Sequence, residues 1–126
     1  MPDLTTADAL RNWARGLLTL EAAVELLAGA VGERLLCGPW VRRDEHGRHW
    51  FDPDAAAAEG GCLSGGERRV LAIAASLAST EHPVDLNDAV TGIDRETLRC
   101  VLRALAHASG IAGAIEGPRW ACDERR

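Results

Sequence analysis

The run Leu63-Ser64-Gly65-Gly66-Glu67-Arg68-Arg69-Val70-Leu71 decides how the second half of the chain folds. Serine followed three residues later by glutamate is a capping box. The serine oxygen takes the glutamate amide and the carboxylate takes the serine amide, so two donors that a helix start leaves open are satisfied. Val70, Leu71, Ile73, Ala74, Leu77 and Ala78 then recur at helical spacing, which predicts a helix with one buried face that ends before Pro83.

Outward from this helix the same logic repeats. Upstream, Gly60-Gly61 closes a short helix predicted to begin near Pro53 under an Asp52 cap. Downstream, Asp85 is placed to cap a short helix with Gly92 near its end. Asp94 caps a final helix that carries Leu98, Val101, Leu102 and Leu105 on one face and stops at Gly110.

Before residue 53 the pattern is different. Leu10, Trp13, Leu17, Leu20, Val24, Leu27 and Val31 alternate spacings of three and four, which predicts a long amphipathic helix. Thr5 or Thr6 starts it, Asp8 complements its dipole, and Gly16 is the point where it bends or splits. The stripe fits either packing on its own domain or a homodimer seam. Residues 39–52 read as a β-hairpin, with Trp40-Val41 and Trp50-Phe51 as strands around Asp44-Glu45-His46-Gly47.

These elements give an expected fold class of α+β, mainly α: a long N-terminal helix, one β-hairpin and two principal C-terminal helices. Residues 1–117 form one domain with the hairpin near 39–52, and residues 118–126 form a tail in which Trp120 serves as anchor or partner contact. A chain of 126 residues suits one core.

Composition bounds the function. All 14 basic residues are arginine, lysine and tyrosine are absent, and alanine runs such as Ala55 to Ala58 recur, as expected for a GC-rich bacterial or phage gene. A net charge of -5 provides no global attraction to nucleic acid, so any basic surface is local. Cys37, Cys62, Cys100 and Cys122 form no C-x-x-C pair, and no leader or long apolar span is evident, so a cytoplasmic protein with no membrane contact is expected. A zinc site drawn from Cys37, His46, His49 and Cys62 matches no standard spacing; buried free cysteines and exposed hairpin histidines are the expectation, with no metal.

The hairpin concentrates Trp40, Arg42, Arg43, Arg48 and Trp50, a ribbon able to meet a protein partner, grip phosphate or stack a base. Against the nucleic-acid use, Asp44, Glu45 and Asp52 lie inside it, and the aromatic side chains are equally suited to covering the core.

The stretch from Leu18 to Leu27 resembles the first helix of excisionase-like winged helix-turn-helix domains, but Gly32 to Gly38 leaves no room for a recognition helix. The run from Leu63 resembles the signature motif of ABC-type ATPases, and Leu86-Asn87-Asp88-Ala89-Val90-Thr91-Gly92-Ile93-Asp94 resembles their Walker B and D-loop segment. The resemblance implies phosphate contacts from Ser64, Gly65 and Gly66 to a nucleotide held by another subunit. It also implies a core strand over residues 84–87, with Asn87 at the magnesium aspartate's place, Asp88 at the catalytic glutamate's and Asp94 at the D-loop aspartate's. Asn87 and Asp88 depart from the family's residues, and a chain without lysine has no phosphate loop of its own.

No nucleophile–base constellation stands out. The expectation is therefore a non-enzymatic cytoplasmic regulator that binds a protein partner and needs no cofactor. The alternatives are a small DNA-binding regulator that uses the hairpin, and an accessory subunit presenting Ser64, Gly65 and Gly66 to an ATPase.

Overall fold

A computed structural model describes residues 5–111. The tail expected at 118–126, with Trp120 and Cys122, lies outside the described residues, as does the domain boundary at 117. The architecture is α+β, mainly α, with one two-stranded antiparallel sheet.

The expected long first helix is two helices, α1 (Thr6–Ala14) and α2 (Leu18–Gly29). Thr5 caps α1 by accepting the Asp8 amide, and Gly16 at φ +94 turns the chain between them. That backbone conformation is open to glycine and costly for other residues. The stripe is therefore folded on itself rather than presented as a seam. Leu10, Val24 and Leu27 are buried within the domain, while Leu17 faces solvent at 58% exposure.

Helix α2 is apolar on most of its circumference, and Ala22, Ala23, Val24, Leu26, Leu27 and Ala28 are all buried. A helix of that kind belongs in the middle of a domain, and α1, α4 (Gly65–Ala78) and α6 (Arg95–Ser109) pack around it. Helix α6 runs antiparallel to α2, with His107 meeting Glu21 near one end and Cys100 meeting the Gly29 carbonyl near the other.

After α2 a 3₁₀ segment, Val31–Cys37, leads into the hairpin β1 (Val41–Arg43) and β2 (His49–Phe51). The register pairs Val41 with Phe51, Arg42 with Trp50 and Arg43 with His49. Alternation puts Val41 and Phe51 on one face, where Phe51 joins the core, and Arg42 with Trp50 on the other. Helix α3 (Pro53–Glu59) follows under the Asp52 cap.

The predicted capping box is present, since Ser64 Oγ accepts the Glu67 amide and Glu67 accepts the Ser64 amide. Asp85 caps α5 (Leu86–Val90), Asp94 caps α6, and Gly110 ends α6 through bonds to the Ala106 and His107 carbonyls. Where the ABC resemblance implies a core strand the chain forms this capped helix instead, because the Asp85 side chain accepts the Asn87 amide and winds the backbone there.

Two further expectations are corrected. On α6 the core takes Thr97, Val101 and Ala104, whereas Leu98, Leu102 and Leu105 remain exposed. Docking on α2 selects a face turned away from the leucine stripe. Cys37, expected to be buried, is exposed.

Candidate functional site

The hairpin residues separate once side chains are placed. Trp40 is buried at 2% exposure and donates its Nε1–H to the Leu35 carbonyl at 2.7 Å. Its indole leaves space only for a glycine at Gly38. Trp40 is thus a core residue and not a surface contact, because its polar atom is satisfied inside and its ring belongs to the main core cluster.

Arg42 is held by Asp52 at 3.1 Å and Arg48 by Asp44 at 2.8 Å. Asp44 also accepts the His46 and Arg48 amides, tying the turn together. Burial pushes the Asp52 carboxyl upward, but the Ala55 amide and the Arg42 guanidinium outweigh it, and the group sits below its ordinary value. Asp44 follows the same pattern, its amide bonds and Arg48 overcoming desolvation. The pairs engage two of the three hairpin arginines; Arg43 is exposed across from His49, and the half-buried Trp50 lies on the opposite face of the ribbon.

The second region is a cleft of about 460 Å³ between the starts of α4 and α6. Ser64, Gly66, Gly92 and Asp94 line it together with Arg34, so the serine and glycine of the signature-like run and the aspartate at the D-loop place border the same cleft. Gly65 and Gly66 carry first-turn amides that the capping box does not use. The remaining polar groups are committed. Asp94 accepts the Thr97 amide and is held below its ordinary value by that bond and then by the Thr97 side chain. Arg34 pairs with Glu67 at 2.9 Å. With Glu67, Asp94 and Glu96 against Arg34 in the lining, the field disfavours an isolated anion.

Asn87 and Asp88 stand outside that lining. Asp88 instead meets Arg69, whose Nε donates to the Asp88 carbonyl at 2.9 Å and whose guanidinium approaches Gly65 and Gly92. Arg69 is the residue that sequence reading missed here. It ties α5 and the Gly92 turn to the start of α4, and only its place four residues past Gly65 hints at the role. Among the described residues no group of three or more His, Cys, Asp or Glu is arranged to hold a metal ion, and no helix is long and apolar enough to cross a membrane.

Comparison with known proteins adds one partial similarity. The ABC-type transporter phomO' of Diaporthe leptostromiformis is 43% identical over 61 residues, which is 48% of this chain and 4% of the transporter. The likeness is to a segment of an ABC-type transporter. No family model matches the chain, and no solved structure matches it.

Proposed function

We propose that this chain is a non-enzymatic cytoplasmic module that acts by binding a protein partner. The observation that carries this reading is the contrast between interior and surface. Among the described residues no buried side-chain polar atom lacks a partner, yet Leu98, Leu102 and Leu105 are left on the outside of one helix. Exposed apolar stripes on an otherwise well-satisfied fold are what protein interfaces use. The residues with chemical potential already have structural work, since Ser64, Asp85 and Asp94 each cap a helix.

The test is capture of partners on the tagged chain from an extract of its native host, with and without nuclease. A protein partner that survives nuclease is expected; recovery of nucleic acid alone overturns the reading in favour of DNA binding. The hairpin contribution is measured with Arg43→Ala and Trp50→Ala, since replacing Trp40 would empty part of the core.

A second reading, an accessory subunit presenting the Ser64-Gly65-Gly66 turn to nucleotide on an ATPase partner, is favoured by the partial transporter similarity and by the cleft shared by Ser64 and Asp94. Gly66→Arg tests it cleanly, because that position opens onto free space and the capping box is untouched. The purified chain is expected to bind little ATP alone, and the variant to abolish the partner's activity; an unaffected partner refutes the role.

A further inference from the structure

Between α3 and α4 lies a second cleft, of about 320 Å³, which shares no residue with the cleft at Ser64. Its volume is at the lower end of the roughly 300–1,000 Å³ that small-molecule sites occupy. Helix α4 contributes Arg68, Leu71, Ala72 and Ala75, which at offsets of three, four and seven share one face of the helix. Leu71 and Ala75 are buried, as is Ala56 on α3, and together they make an apolar floor. That floor is tightly closed at Gly60, where an added Cβ would sit 3.0 Å from Leu71 Cδ2. The mouth is open, because Ala72 is exposed and a Cβ at Gly61 would meet nothing within 4 Å.

No aspartate or glutamate lines this cleft, and its two cationic side chains differ in what holds them. His82 meets Asp54 at 2.7 Å, and Asp54 stands outside the lining. Arg68 joins no ion pair among the described residues, and its hydrogen bond from Nη2 to the Leu63 carbonyl is long at 3.4 Å. Most of the guanidinium donors are therefore open to a ligand. They stand at one end of an apolar slot about 10 Å long, the rise along α4 from Arg68 to Ala75.

We propose that this cleft binds a small apolar carboxylate, with its hydrocarbon part on Ala56, Leu71 and Ala75 and its carboxylate on the Arg68 guanidinium. The site goes beyond the protein-binding reading and uses none of the residues on which that reading rests. Charge and polarity select the ligand. A guanidinium matches a carboxylate with two parallel N–H donors, whereas an amine on the same chain would meet a like charge. A sugar or a nucleotide would press hydroxyls onto a floor that offers them no partner. A partner helix, about 10 Å across, is too wide for a slot left between two packed helices.

The experiment uses the full chain at pH 7 and three eight-carbon probes, octanoate, 1-octanol and octylammonium, with binding read from amide shifts in nuclear magnetic resonance spectra. Octanoate is expected to bind with a Kd below about 1 mM, to shift amides of α3 and α4, and to exceed octanol by about tenfold. Octylammonium is expected to leave those amides unmoved. Arg68→Gln is expected to lower octanoate to the affinity of octanol and to leave octanol unchanged. Ala72→Trp, which fills the mouth, is expected to abolish binding of both. Arg99→Gln removes the same charge outside the lining and is expected to change neither. All three positions are exposed, and circular dichroism checks that each variant is folded.

Equal affinity for octanoate and octanol, or octanoate binding indifferent to Arg68→Gln or to Ala72→Trp, overturns the proposal. An equal loss on Arg99→Gln does so as well, since the anion would then be following net charge alone. Shifts confined to residues outside α3 and α4, or no saturable binding up to about 10 mM, also overturn it.

Discussion

At the scale of single residues the most constrained position is Gly38. A Cβ there would collide with the indole of Trp40, and that ring is pinned by its bond to the Leu35 carbonyl and closed in by the core. Gly38→Ala is therefore expected to cost about 1–3 kcal/mol, the range for overpacking a filled interior. Gly66→Ala provides the contrast, because its added methyl meets nothing within 4 Å; at a helix start it is expected to be neutral or to stabilise by up to about 1 kcal/mol. Urea denaturation of both variants checks the pair, and equal effects would remove the steric account of Gly38. The same residue view explains why the sequence leaves Trp40 open between core and surface contact. Its partners, a carbonyl five residues back and a glycine two residues back, leave no periodic trace in the sequence.

At the scale of elements, what was legible in the chain is what is local. The Ser64–Glu67 box and the caps at Asp52, Asp85 and Asp94 act within three residues of themselves, so the starts of α3, α4, α5 and α6 could be read without knowing any neighbour. Which face an element turns inward depends on what docks against it. The stripe of α6 contains four apolar residues that periodicity treats alike, yet contact with α2 buries Val101 and leaves the three leucines outside. The candidate site divides in the same way. Arg42 and Arg48 are claimed by aspartates of the same hairpin, whereas the sharing of one cleft by Ser64 and Asp94 required the tertiary structure. At the corner that divides the N-terminal helix, residue 16 is constrained by its backbone conformation and not by crowding, because a side chain at Gly16 would meet nothing within 4 Å. Gly16→Ala is therefore expected to lose about 1–2 kcal/mol from the positive φ by itself. A midpoint in urea equal to that of the parent would mean that the corner relaxes without strain.

At the scale of the whole molecule, one carboxylate joins three parts of the chain. Glu21, in the first turn of α2, accepts the Gly16 amide at 2.8 Å and meets His107 Nε2 at 2.6 Å, so the α1–α2 corner and the end of α6 are fastened to the same group. An ionised carboxylate only accepts, which assigns the proton of that contact to the imidazole. The Gly16 amide, followed by the His107 hydrogen bond, lowers the Glu21 pKa from its ordinary 4.5. Asp44, Asp52 and Asp94 are lowered as well. A group whose pKa is depressed by folding contributes stability that is present above its unfolded value and is lost as pH falls through the folded one. Stability of the parent chain is thus expected to decline as pH falls below about 4.5, when these carboxylates begin to protonate. Glu21→Gln removes one of the titrating groups while keeping its shape. The variant is expected to be less stable than the parent at neutral pH, and the difference to narrow as acid neutralises Glu21 in the parent. Urea midpoints measured for both chains from pH 7 to about pH 3 decide the matter. A gap that stays constant over the range would show that the corner is held by packing of α1 and α6 on α2 and not by the charge on Glu21.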